Sequence, residues 1–311
     1  MNIVNKTYDN ELKTAKPQTD IQKRLGNPTV LDRKVDLRVL SLGAGVQSST
    51  ILFKILHGEI EPVDVAIFAD TGNEPKEVYT WLDYLKDEVG SNFEIRIVKN
   101  NKGTGNIVDD LKQTDGYHAS IPVYLKKKSD NKYVNLRRSC TEQYKISPIR
   151  DEIKRILGLE PGQRLRKQAV EVVMGISTDE IQRVKEPIWE WMIHCYPLVG
   201  ENITRDDCKH WLKHKGYPTP PRSACIICPY HNYAEWYNMQ QNHPKEFAQA
   251  VEFDEYLRST TTSTFVNKIK AKGDTELYLS KAGALKDIDL YSKIDHQDNL
   301  FNDECDGYCG V

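Results

Sequence analysis

The stretch that most constrains this chain is Val39-Leu40-Ser41-Leu42-Gly43-Ala44-Gly45-Val46-Gln47-Ser48-Ser49-Thr50. The apolar run from Leu37 to Leu42 predicts a buried strand, a Ser/Gly turn follows, and Ser49 to Leu56 predicts the start of an apolar helix. Glycine lets a backbone turn tightly and approach a ligand closely. The N–H groups at a helix N-terminus favour an anion, and the hydroxyls of Ser41, Ser48 and Ser49 can add hydrogen bonds. A corner of this composition suits the phosphates of a nucleotide, and an ordinary strand–turn–helix corner is the alternative.

The pattern continues for more than half of the chain. Val63–Ala69 is apolar except for Asp64, as a strand covered on both faces should be. Asp70-Thr71-Gly72-Asn73-Glu74-Pro75 follows it, then a helix from about Lys76 to Val89 and a strand over Phe93–Val98. Such alternation implies a parallel sheet with right-handed crossovers and helices on its faces, an α/β fold. Ligands then sit outside the carboxyl ends of the strands, where both polar loops fall. Val170–Ile176 predicts another strand, running into a third polar loop, Ser177-Thr178-Asp179-Glu180-Ile181-Gln182-Arg183. Helices are expected over Pro148–Leu157, over Thr204–Lys215 with Gly216 as C-cap, and at about 232–241 and 244–258. Residues 1–35 read as a polar arm, 36–258 as the nucleotide-binding domain including the CxxC loop, and 259–311 as a linker and mobile tail, the C-terminal part being mostly helix and loop.

Net charge is −2 over 311 residues, so nothing global marks a nucleic-acid binder. No apolar run is long enough to span a bilayer, and the polar start lacks a signal-peptide core, so a cytoplasmic location is expected. The seven cysteines then call for metal, redox or catalytic roles, or for simple burial. Cys225-x-x-Cys228, stiffened by prolines on both sides, has the spacing of a loop that presents two thiolates to one metal or cluster. A dithiol redox pair, or two buried small side chains, fits the same spacing. Cys140 is the third candidate ligand. Three cysteines suit a [4Fe–4S] cluster with one open iron, whereas zinc would need a fourth ligand such as Cys208 or His231. Cys195 and Cys208 otherwise read as core. Lys126, Lys127 and Lys128 read as a solvated face, while Arg137 and Arg138, beside Cys140, are better placed to bind an anionic substrate.

Together these motifs resemble the phosphoadenosine-phosphosulfate (PAPS) reductase family, within the PP-loop, adenine nucleotide alpha-hydrolase-like superfamily. The resemblance runs from about Val39 to Cys228, with an echo at the C-terminus. In order it comprises Gly45-Val46-Gln47-Ser48-Ser49; Asp70-Thr71-Gly72 with Glu74 and Tyr79; Cys140-x4-Lys145-x2-Pro148; Gly175-Ile176 with Glu180 and Arg183; Tyr196-Pro197-Leu198 with Thr204-x-Asp206; and Ser223-Ala224-Cys225-x2-Cys228. Gln47 stands where the common superfamily loop has aspartate. Ser139 stands where cluster-bearing reductases have the first of two adjacent cysteines. The tail carries two cysteines, Cys305 and Cys309, where the family has one.

The resemblance implies that Ser41, Gly43, Gly45, Gln47, Ser48 and Ser49, with Asp70, Thr71 and Gly72, hold an adenine nucleotide, PAPS or adenylyl sulfate (APS). Arg137, Arg138, Lys145, Arg183 and Arg222 would hold its phosphate and sulfate groups. A Cys309 or Cys305 thiolate would attack the sulfonate sulfur, and a thioredoxin-like reductant would then release sulfite. PP-loop tRNA-thiolating enzymes and the DNA phosphorothioation enzyme imply a different chemistry. There ATP, with Mg possible, would activate nucleic acid for thiolation, with Cys140, Cys225 and Cys228 on the cluster. A zinc-stabilised, non-catalytic nucleotide-binding module is a third possibility. No membrane partner is expected.

Overall fold

The strands expected from the apolar runs at Leu37–Leu42, Val63–Ala69, Phe93–Val98 and Val170–Ile176 form there. The computed structural model describes residues 34–114, 119–127, 133–136, 138–160, 163, 165, 169–271 and 275–294. Its main sheet has five strands in the order β3-β2-β1-β6-β7. They are β1 (Leu37–Ser41), β2 (Val65–Asp70), β3 (Glu94–Lys99), β6 (Val170–Met174) and β7 (Met192–Cys195). All pair in parallel, with Val39 opposite both Val65 and Val172. Every residue of β2 and β6 is buried, while β3 at the edge is partly exposed.

The pleat divides each central strand between two cores. Leu40, Ala66, Phe68 and Val173 face α1 (Val46–Leu56), α2 (Lys76–Val89) and α6 (Arg205–Lys215). Val39, Val65, Ile67, Val172 and Met174 face the opposite layer, where α4 (Ser147–Ile156) supplies Ile149 and Ile153. Helix α6 begins in a capping box between Thr204 and Asp207 and stops at Gly216, whose φ of 84° is left-handed.

A third core lies beside this sandwich. It surrounds a three-stranded antiparallel sheet, β5-β4-β8, of β4 (Tyr124–Lys127), β5 (Tyr133–Asn135) and β8 (Thr275–Tyr278). Trp236 of α7 (Tyr233–Asn242), Phe253 and Leu257 of α8 (Pro244–Ser259), and Val266 of α9 (Thr264–Lys270) fill it. Leu111 of α3 (Ile107–Lys112) and Leu290 of α10 (Leu290–Ile294) close its ends. The short α5 (Pro197–Gly200) completes the sandwich. Residues 264–271 and 275–294, expected as linker and tail, are therefore folded into this core, and so is the expected loop region around 121–125. The Ser263 hydroxyl caps α9 and donates to the Leu111 carbonyl at 2.7 Å, so the residues expected as a linker anchor instead. Among the described residues no helix is long and apolar enough to cross a membrane.

Candidate functional site

Strand β1 has β2 on one side and β6 on the other, so the crevice between the ends of β1 and β6 is the switch point of the sheet. Ser41 ends β1 there. It is 3% exposed, and its Oγ has no hydrogen-bond partner. The chain then turns through Gly43 and Ala44, whose φ of 57° is left-handed, an uncommon conformation for a residue with a Cβ. Gly43 N donates to Ser48 Oγ at 3.2 Å, which fixes the turn on the first turn of α1. Gly45 caps α1 without a side-chain bond, and no acidic residue lies in that first turn. The N-terminal partial charge of α1 is thus uncompensated within the helix. Gly175, just past β6, closes on the same turn. A Cβ there would lie 2.7 Å from Ser48 N.

Gln47 is fully buried in this crevice. Its Nε2 donates to Glu180 Oε2 at 3.3 Å and lies 3.5 Å from Ser177 Oγ, and its Oε1 accepts from Arg205 Nη1 at 3.3 Å. Only an amide can donate to one neighbour and accept from the other. Aspartate here would put a second carboxylate against Glu180. Arg183 Nη1 donates to Glu180 Oε2 at 2.7 Å, so two guanidinium groups flank the Gln47–Glu180 pair. Ser49 faces elsewhere: its buried hydroxyl accepts from Trp81 Nε1 at 2.9 Å and joins α1 to α2.

The loop after β2 is equally ordered. Asp70 accepts from Gly72 N at 2.7 Å and Tyr79 Oη at 2.8 Å, and its second oxygen pairs with Lys99 at 3.2 Å. Burial, followed by the bond to Asp70, holds the Tyr79 phenol protonated well above its ordinary range. Gly72 has a φ of 73°, and a Cβ on it would meet the Asn106 backbone at 2.8 Å. Thr71 points the other way. Its Oγ1 donates to Glu74 Oε1 at 2.9 Å and lies 3.2 Å from Cys225 Sγ.

Thr71 therefore joins the strand ends to the cysteine loop. Asn73 strengthens the joint by accepting from Ile226 N at its carbonyl, 2.8 Å, and from Ile227 N at its side chain, 3.2 Å. Cys140, Cys225 and Cys228, all half-buried and present as thiols, line one cavity of about 20 Å³ with Arg138, Thr141, Lys145 and Tyr230. The three cysteines that the sequence singles out as candidate ligands are thus brought to one cavity. Yet among the described residues no three His, Cys, Asp or Glu side chains form a group that could hold a metal ion. A cavity of that volume takes about one water molecule. As arranged, the lining does not fit a four-iron cluster.

Neither Cys208 nor His231, the expected fourth ligands for zinc, lines this cavity. Cys208 is buried in the core beside α1, where burial pushes its thiol up to about 12. His231 Nε2 lies 2.9 Å from the Cys225 carbonyl oxygen, which makes that nitrogen a donor. Cys195 is core as expected, its thiol pushed up to about 12 by burial and then by Glu171. Ser139 donates to the Ser120 carbonyl at 3.2 Å, and Arg222 is ion-paired with Glu235. Arg138 stacks 5.1 Å from the Tyr230 ring, and Lys145 is 5% exposed. Arg137, Cys305 and Cys309 lie outside the described residues.

Sequence reasoning missed Arg205, Lys99 and Thr141. Arg205 did leave a signal: a cation in the first turn of α6 opposes the helix dipole, so its position asks for another explanation. A larger groove of about 830 Å³ runs between α2 and the α7–α8 turn, walled by Trp81, Tyr84, Pro218 and His243. No strand-end loop lines it.

No known family pattern matches the chain, and no curated protein matches it. Among solved structures the chain is similar to a phosphoadenylyl-sulfate (PAPS) reductase from Candida auris, determined as a phosphate complex. The identity is 15%, the match covers 71% of this chain and 91% of that one, and the TM-score is 0.38.

Proposed function

We propose that this chain is an enzyme that binds an adenine nucleotide at the β1/β6 crevice and performs sulfur chemistry on it, reducing a sulfonucleotide to sulfite. The observation that carries the nucleotide part is the buried, unpartnered Ser41 hydroxyl beside the uncapped start of α1, with Arg183 and Arg205 at its flank. A phosphate there would accept from N–H groups and from Ser41 Oγ while meeting guanidinium charge. Sulfur chemistry is supported by the contact of Thr71 with Cys225, which makes the thiol cavity continuous with the strand-end loops. In the reductase step a Cys309 or Cys305 thiolate attacks the sulfonate sulfur, the sulfur–oxygen bond to phosphate breaks, and the nucleotide leaves. A thioredoxin-like dithiol then attacks the cysteine sulfur and sulfite departs.

A second reading, ATP-dependent thiolation of nucleic acid, is favoured by one observation. Strand β4, paired with β5, bears Lys126 and Lys127, and Arg138, soon after β5 in the sequence, lines the thiol cavity. Titration calorimetry with adenosine bisphosphate and with ATP, paired with a sulfite assay on PAPS and APS, separates the two. Arg205→Met is expected to weaken binding of the preferred nucleotide by about ten- to a hundredfold, the range for a lost charge-assisted hydrogen bond. Cys309→Ser is expected to abolish sulfite release while nucleotide binding remains. Turnover that survives in both Cys309→Ser and Cys305→Ser would remove the tail nucleophile, and conversion of ATP to AMP and pyrophosphate with thiolated nucleic acid would establish the second reading.

A further inference from the structure

We propose that the groove between α2 and the α7–α8 turn seats the chain's own acidic segment Asp295–Glu304, anchored by Leu300 and Phe301. The inference does not rest on which nucleotide occupies the crevice or on the chemistry done there.

The groove has the size and surface of a peptide seat. Its volume is about 830 Å³, its surface is mostly apolar, and Trp81 and Tyr84 of α2 line it together with Pro218, Pro221 and Pro244. An open apolar surface of this kind on a folded chain marks a place where something binds. Its charges select the occupant. Glu77 Oε1 lies 3.5 Å from His243 Nε2, and Glu246 Oε1 accepts from Lys76 N at 2.9 Å, so both carboxylates in the wall are taken up by neighbours. The ammonium groups of Lys76 and Lys245, also in the wall, pair with no carboxylate among the described residues. The groove therefore calls for an apolar segment that carries negative charge. Opposite charge steers such a segment in, and apolar contact holds it.

The chain supplies such a segment close by. Asp295, Asp298, Asp303 and Glu304 surround Leu300 and Phe301, with no Lys or Arg between Asp295 and Glu304. The segment lies outside the described residues, but its point of departure does not. Helix α10 ends at Ile294; its Leu290 is buried in the third core, and its Tyr291 packs on Tyr237 of α7 with ring centroids 5.6 Å apart. Asn242, the last residue of α7 and part of the groove wall, is about 8 Å further along that helix. The chain from Ile294 to Leu300 extends to about 20 Å, which brings Leu300 and Phe301 to the groove. Seating them also tethers Cys305, which follows directly.

The test is zero-length carbodiimide coupling of lysine to carboxylate in the full chain, using an equal mixture of unlabelled and heavy-nitrogen-labelled protein, followed by digestion and fragment mass spectrometry. Links from Lys76 or Lys245 to Asp298, Asp303 or Glu304 are expected within single chains, so that the two linked peptides are both labelled or both unlabelled. Phe301→Ser keeps every reactive group and should leave thermal unfolding unchanged. It should lower the yield of these links about tenfold or more, the factor carried by one buried phenylalanine side chain. Thr80 is exposed on α2 in the groove wall, so Thr80→Trp fills the groove without disturbing a core and should remove the links as well. Absence of the links in the native chain, or an unchanged yield in either variant, would overturn the proposal. Links found only between labelled and unlabelled chains would also overturn it, by making a second copy the source of the occupant.

Discussion

Gly175 and Gln47 carry the tightest constraints at the crevice, and for different reasons. Gly175 is needed because β6 closes on the first turn of α1: a Cβ would stand 2.7 Å from Ser48 N and 2.9 Å from Ser48 Cα, both backbone atoms that cannot swing away. Gly175→Ala must therefore separate the strand end from the helix start. Overpacking of this kind costs about 1–3 kcal/mol, expected as a lower urea midpoint with an unchanged slope. Nucleotide binding should weaken in the same variant, because the phosphate-facing turn is the part displaced. Gln47 was legible as a member of the Ser/Gly loop, but not as a buried bridge. That role depends on Glu180 and Arg205, more than a hundred positions away. Thr141 gave no signal at all, since an unpartnered hydroxyl is a property of surroundings rather than of sequence.

The central strands were readable because β2 and β6 are buried on both faces and so appear as unbroken apolar runs. The short strands β4, β5 and β8 were not. Each has four residues or fewer, and β4 finds β8 across some 150 positions, with Leu125 opposite Leu277. Edge strand β7 was missed too, and it carries a measurable charge effect. His194 on β7 is 7% exposed; its Nδ1 lies 2.9 Å from the Lys185 carbonyl, which requires a proton on that nitrogen. Burial lowers its pKa, so the folded state resists the second proton that the unfolded state accepts near pH 6.5. Unfolding thus gains a proton as pH falls below about 6.5, and stability declines by at most about 1.4 kcal/mol per pH unit until the folded-state pKa is reached. Denaturant midpoints measured between pH 7.5 and 5 should fall in the native chain. The part of that fall due to this group should vanish in His194→Gln, whose amide can still donate to the carbonyl.

At the scale of the molecule, the sandwich and the core beside it meet at the cysteine loop. Ile226 and Ile227 are buried in that third core, while their N–H groups are held by Asn73 after the end of β2. The sequence showed both loops as motifs, yet not that they touch, because the contact joins positions 154 apart in the chain. The contact makes a prediction about coupling. A nucleotide that binds only the folded crevice stabilises it by about 2.7 kcal/mol when present at a hundred times its dissociation constant. If the cores were joined only by connecting chain, hydrogen-exchange protection would rise in β1 and α1 and leave α8 unchanged. With Ile226 and Ile227 rooted in one core and bonded to the other, opening of either core strains the same loop. Added adenosine bisphosphate or ATP should therefore slow exchange in β1 and in α8 together. Replacing Asn73 by alanine removes the side-chain acceptor of Ile227 N and should confine most of the effect to β1. Protection that stays local in the native chain would show that the cysteine loop does not link the cores. Protection that spreads with one nucleotide and not the other would also identify which of them the crevice is built to hold.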